Sequence, residues 1–120
     1  MNSIEMIRCV VKFENDSIAH EGLMPLESVH ERLKTDSELF TIEGLNIAFI
    51  ALKKEAVTNE AKNIFLNGPE GYEYLHGPVL AVGISDTALK QITSLSDDGA
   101  ATAKRLLSYL RDTSREGNKE

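Results

Sequence analysis

Apolar and polar side chains alternate with a period of two near the start of the chain. The two phases are Ile7, Cys9, Val11 and Phe13 on one side and Arg8, Val10 and Lys12 on the other. This period is typical of a strand that packs one face against the core, so we predict a first strand at 7–13 with Cys9 on its core face. Turn-forming residues at 14–17 then predict an antiparallel return at 18–21.

Two segments instead show the period of an amphipathic helix. Pro25 precedes apolar residues at spacings of three and seven, which predicts a helix at 25–34. Ser96 is a good N-cap residue and is followed by two aspartates, which predicts a second helix at 97–112. The apolar positions of this second helix are Ala103, Leu106, Leu107 and Leu110.

Two nearly continuous apolar runs predict strands that are buried on both faces. They lie at 45–52 and 79–84, and we expect both in the centre of the sheet. Shorter strands are predicted at 38–43 and 64–66. The pattern leaves two segments open: 53–62 between a loop and a short helix, and 85–95 between a helical turn and an edge strand.

The order of these elements predicts an α+β fold. We expect a mainly antiparallel sheet of about five strands and two helices, with a single layer of helix packed on the sheet. No linker or repeat divides the 120 residues, so one domain is predicted at 1–112, followed by a frayed polar tail at 113–120.

The charge of the chain disfavours one class of partner. The net charge is −6, and residues 1–103 carry eight basic and sixteen acidic side chains. Such a surface repels phosphate backbones, so direct nucleic-acid binding is not expected. Residues 104–120 are mildly basic. Their cations either oppose the dipole of the last helix or contact an acidic partner.

The single cysteine, Cys9, allows no intramolecular disulfide and fits a reducing compartment. The first residues lack the pattern of a secretory leader, and no apolar run approaches the ~18 residues of a membrane span. These features predict a cytoplasmic protein without membrane association.

No catalytic residue, metal or cofactor is predicted. The histidines at 20, 30 and 76 do not have the spacing of a metal site, and no phosphate-binding motif is present. Cys9 is interpreted as a small buried hydrophobe. Its role as a nucleophile would need His20 or His76 beside it, which the sequence leaves open.

The segment 67–78 is the candidate binding site. Tyr72, Tyr74 and His76 alternate beside flexible glycines, a composition that suits a binding surface. The alternative is a hairpin whose aromatic side chains cover the sheet.

Three stretches carry a resemblance to a known family. They are Met6-Ile7-Arg8, the strand Gly77-Pro78-Val79-Leu80-Ala81-Val82-Gly83, and the helix start Thr93-Ser94-Leu95-Ser96-Asp97-Asp98. In this order the chain resembles an uncharacterised family of small domains carried by phages, plasmids and their bacterial hosts. The resemblance implies a mobile-element setting and carries no catalytic residues with it.

Three functions follow as hypotheses. The first is a small acidic accessory or regulatory protein of a phage or mobile element that acts by binding another protein. The second is a small ligand-binding domain or enzyme that uses the 67–78 segment. The third is a homo-oligomeric structural domain that associates along an edge strand.

Overall fold

The computed structural model describes residues 4–42, 44–68, 71–85 and 91–110. Within these ranges the chain forms eight strands, two α-helices and one 3₁₀ turn at Lys54–Ala56. The strands are β1 (Met6–Lys12), β2 (His20–Pro25), β3 (Ser37–Thr41), β4 (Ile47–Leu52), β5 (Lys62–Gly68), β6 (Gly71–His76), β7 (Val79–Ile84) and β8 (Ile92–Thr93). The helices are α1 (Leu26–Thr35) and α2 (Asp97–Tyr109).

Six strands form one antiparallel sheet in the order β2-β1-β7-β4-β3, with β8 also paired to β7. β7 lies in the middle, and all six of its residues are buried because strands flank it and side chains cover both of its faces. β8 pairs with Gly83 and Ile84, beyond the part of β7 that pairs with β1. Among the described strands, β2 and β3 therefore lie at the two ends of the sheet, and β8 is a short additional edge strand beside β7.

The two helices cover opposite faces of this sheet. On the α2 face, the buried cluster includes Val10, Phe49, Ala81, Ala103 and Leu107. On the α1 face, it includes Cys9, Val29, Ile50, Leu80 and Val82. Each inner strand thus sends alternate side chains into two separate cores.

Strands β5 and β6 form a separate antiparallel hairpin that packs on the α2 face. Ile64 and Leu75 face each other across the hairpin and are buried in the α2-face cluster. The backbone N–H of Phe65 also donates to the carbonyl oxygen of Leu110, just beyond the end of α2, at 3.0 Å. The hairpin is therefore held by both side-chain packing and a backbone contact.

The α+β class, the antiparallel pairing and the two helices are confirmed. The main sheet has six strands instead of about five, and the helices form one layer on each face instead of a single layer. The reason lies in β4 and β7, which are apolar in both phases and so need cover on both sides.

The segments that the sequence left open are resolved in two different ways. Part of 53–62 forms the short 3₁₀ turn, and part of 85–95 forms the edge strand β8. Ser96 caps α2 as predicted, and its hydroxyl oxygen accepts a hydrogen bond from the N–H of Gly99 at 3.0 Å. The predicted tail at 113–120 lies outside the described residues. Neither helix of the described ranges has the length and apolar character needed to cross a membrane.

Candidate functional site

The predicted binding residues lie on strand β6, and one of them has clear structural contacts. The Nζ atom of Lys62 lies 4.2 Å from the centre of the Tyr74 ring. The centres of the Tyr74 and Phe65 rings are 6.3 Å apart. His76 pairs with Lys62 across the hairpin and is half-buried. A cation over an aromatic face stabilises such a hairpin. The side chain of Tyr72 lies outside the described residues, so binding by this trio stays a prediction.

Cys9 and His76 are on opposite sides of the main sheet. The Cys9 thiol is buried on the α1 face, and burial raises the pKa of this thiol. His76 belongs to the hairpin that packs on the α2 face. His20 is largely exposed, and its Nε2 lies 3.6 Å from the Asp16 carboxylate. The three side chains therefore do not converge on one pocket, and the described residues contain no group of three or more metal ligands.

A buried polar pair joins the hairpin to the sheet. Lys12 is 1 % exposed, and its Nζ donates to Oδ1 of Asn63 at 2.7 Å. The Asn63 amide in turn donates to the carbonyl oxygens of Lys12 and Gly77, both at 2.8 Å. The sequence placed Lys12 on the phase of β1 away from the core, and this was wrong because the α2 face is also covered. The apolar run at 9–11 could have indicated cover on both faces.

A cavity of about 390 Å³ lies between β8 and the start of α2. Hydroxyl groups line it, but Ser94 accepts the Arg8 N–H at 2.7 Å and Ser96 caps the helix. Asp98 adds a negative charge where the helix dipole would otherwise attract an anion. The two serines therefore have structural partners, and Ser96 has the capping role that the sequence predicts.

Arg8 links β1 to β2 and to α2 on the α2 face. Its Nε donates to the Glu21 carboxylate at 2.8 Å, and its Nη1 donates to Asp97. Lys104 approaches the same glutamate at 3.7 Å. The charges alternate along this surface, so Glu21 lies between a cation from the sheet and a cation from the helix.

The contact with Arg8 should affect the acid titration of Asp97. The hydrogen bond from Arg8 holds the pKa of the Asp97 carboxyl below its ordinary value. Because the pKa is lower in the folded protein than in the unfolded chain, Asp97 stabilises the fold above the unfolded-state pKa. That contribution is lost as the pH falls through the folded-state pKa. We expect Arg8→Gln to raise the Asp97 pKa in an NMR titration.

Glu60 provides the internal control for that titration. A hydrogen bond from the backbone N–H of Thr58 lowers the pKa of the Glu60 carboxyl, and Arg8 has no part in it. Arg8→Gln should therefore leave Glu60 unchanged. An Asp97 pKa that does not move in the variant would contradict the assigned cause.

A mainly apolar surface groove lies between the β1–β2 loop and α2. It measures about 540 Å³ and is lined by Ile18, Ala19, Lys104, Arg105, Ser108 and Tyr109. Ile18 is 59 % exposed and Tyr109 is 80 % exposed. Large apolar side chains that share one groove with two cations at its rim are typical of an interaction surface.

Sequence reasoning missed this groove, although it left one indication. Tyr109 falls outside the apolar phase of α2, whose buried residues are Ala100, Ala103 and Leu107. An aromatic residue on the solvent side of a helix has no packing role there. Ile18 was interpreted as part of a strand, whereas it precedes β2 in the loop.

Comparison of the chain with protein-family models, with curated proteins and with solved structures finds no match in any of the three.

Proposed function

We propose that the protein is an accessory or regulatory protein that acts by binding another protein, and that the groove between the β1–β2 loop and α2 is the binding surface. The observation that supports this most directly is the pair of exposed apolar side chains, Ile18 and Tyr109, in one groove. Burial of such side chains at an interface is the main favourable contribution to association. A mobile-element setting, which the family resemblance implies, stays a prediction.

The chemistry of the groove indicates the kind of surface that binds it. Lys104 and Arg105 lie on its rim, in a chain whose net charge is −6. Lys104 is already close to Glu21, whereas Arg105 has no ion pair with any described residue. The partner surface should therefore present carboxylates beside an apolar side chain, because complementary charge favours both encounter and orientation.

The ligand-binding or enzyme hypothesis has weaker support. It depends on the 67–78 segment, where the Tyr74 ring already contacts Lys62 and Phe65. A small ligand on this ring would compete with the lysine. The protein-binding hypothesis needs no such displacement, because the Ile18 and Tyr109 side chains are already exposed.

A peptide titration tests the proposed function. The probe is a short synthetic peptide with glutamates around a central Leu-Phe pair, and the matched peptide carries lysines in place of the glutamates. We expect the acidic peptide to change the amide chemical shifts of Ile18, Arg105 and Tyr109, and to do so less at high salt. The basic peptide should change none of them.

Two charge reversals sharpen this test. Arg105→Glu should weaken binding of the acidic peptide several-fold, because it places a carboxylate on the rim of the groove. Lys34→Glu makes the same change on the exposed surface of α1 and should have no effect. If the shift changes appear elsewhere, or if both reversals act alike, the groove is not the binding surface.

A further inference from the structure

The outer edge of β2 has backbone groups that no described strand pairs. The hydrogen bonds of β1 show which residues of β2 direct their N–H and C=O groups outward. The backbone N–H and C=O of Arg8 bond to Ser94 and Leu95, on the side away from β2. Its neighbours along β1 therefore bond to β2, and in the antiparallel register Cys9 lies opposite Gly22. It follows that Glu21 and Leu23 direct their N–H and C=O groups outward.

These outward groups are arranged symmetrically about Gly22. If a second copy of the chain pairs with this edge in antiparallel orientation, Glu21 lies opposite the partner's Leu23, and Leu23 lies opposite the partner's Glu21. Gly22 then faces the same glycine of the second copy on the two-fold axis. An added Cβ at Gly22 would meet no atom within 4 Å in the single chain, so this position leaves room for close approach. Leu23, which is 69 % exposed, would be covered.

Helix α2 has a matching symmetry on the same side of the molecule. One flank of α2 carries Asp97, which contacts Arg8 of β1, and Lys104, which contacts Glu21 of β2. The small residue Ala101 lies midway between Asp97 and Arg105. An antiparallel second copy of α2, centred on Ala101, therefore places each Asp97 opposite the partner's Arg105. Lys104 contacts Glu21, and Arg8 joins Glu21 to Asp97, so Gly22 and Ala101 can lie near the same two-fold axis.

The spacing of the two helices allows these ion pairs. Neighbouring strands lie about 4.8 Å apart, and α2 packs over β1 and β2. Pairing of two β2 strands would place the helix axes roughly 10–14 Å apart, which arginine and aspartate side chains can bridge. The groove that contains Arg105 would then receive the acidic start of the partner's α2.

We infer that the partner is a second copy of this chain, bound by antiparallel pairing of β2 with β2 and by reciprocal Asp97–Arg105 contacts between the helices. This inference rests on the proposed function and names the occupant of its surface. It joins two six-stranded sheets into one continuous sheet. The opposite charges of Asp97 and Arg105 favour a second copy over an unrelated acidic segment, because one two-fold axis would satisfy both contacts at once.

Cross-linking and mass measurement test the dimer. In a Cys9→Ala background, which removes the cysteine opposite position 22, Gly22→Cys places two thiols across the axis. A directly opposed pair without backbone hydrogen bonds suits a disulfide. We expect rapid formation of a covalent dimer under mild oxidation. Thr41→Cys, exposed on the other edge strand, should not cross-link. Sedimentation should give the mass of a dimer, and Arg105→Glu should lower its fraction.

Leu23→Pro separates the two proposals. It removes an N–H that points outward, so it should abolish the dimer while β1 and β2 stay paired. A monomeric wild-type protein, or a dimer that Gly22→Cys does not cross-link, overturns the inference. In a wild-type dimer the acidic peptide competes with the partner's α2 for the groove, so the peptide tests the proposed function independently on the monomeric Leu23→Pro protein. If it binds the groove of Leu23→Pro, the function stands with a different partner, and if it does not bind, the function fails as well.

Discussion

We expect Asn63→Asp to lower the free energy of unfolding by about 3 kcal/mol, although the new carboxylate would lie beside the ammonium group of Lys12. The Asn63 amide donates to the carbonyl oxygens of Lys12 and Gly77, both at 2.8 Å. Aspartate has no donor at neutral pH, so one carboxylate oxygen would face two carbonyl oxygens in a buried site. The loss of two hydrogen bonds and the repulsion between these oxygens should exceed the gain from the ion pair that the new carboxylate would form with Lys12.

Asn63→Ala helps to separate the contribution of the amide donors from that of the oxygen that accepts from Lys12. It removes the donors and also the acceptor of Lys12, and we expect a loss of similar size, about 3 kcal/mol. Urea unfolding followed by circular dichroism measures both variants, with the exposed substitution Asn59→Asp as a control that should stay within about 0.5 kcal/mol. An Asn63→Asp protein as stable as the wild type would mean that the charge of Lys12, and not the amide donors, dominates this contact.

The local elements of the fold could be predicted because their patterns are local. The helix start at Ser96 depends on its own hydroxyl and the Gly99 N–H, and the buried strands β4 and β7 are apolar throughout. The layering needed non-local information. A strand that is apolar in both phases must be packed on both faces of the sheet, but the sequence does not indicate which helix packs on which face.

The candidate site was harder to predict for the same reason. Tyr74 was chosen because it is aromatic and near glycines, but Lys62 and Phe65 across the hairpin occupy its ring. Ile18 and Tyr109 lie far apart in the sequence, and only the packing of α2 beside the β1–β2 loop brings them into one groove. A surface of this kind has no sequence spacing by which it could be recognised.

Gly83 gives the second large effect, because β8 folds closely against it. A Cβ atom at this position would lie 2.6 Å from the Thr93 hydroxyl oxygen, 2.9 Å from the Ser94 carbonyl oxygen and 3.0 Å from the Thr93 carbonyl oxygen. The hydroxyl can rotate away, but the two carbonyl groups belong to the backbone. We expect Gly83→Ala to destabilise the protein by about 2 kcal/mol, as overpacking of a close contact does.

Gly22→Ala is the matched control, since Gly22 is also in a strand but has open space where its Cβ would be. A glycine inside a strand costs roughly 0.5–1 kcal/mol relative to alanine, so this variant should be neutral or slightly more stable. Amide hydrogen exchange locates the damage: Gly83→Ala should speed exchange at Leu95, whose N–H bonds to Arg8, and Gly22→Ala should not. Equal effects of the two substitutions would mean that loss of backbone freedom, and not the approach of β8, determines the requirement for glycine at position 83.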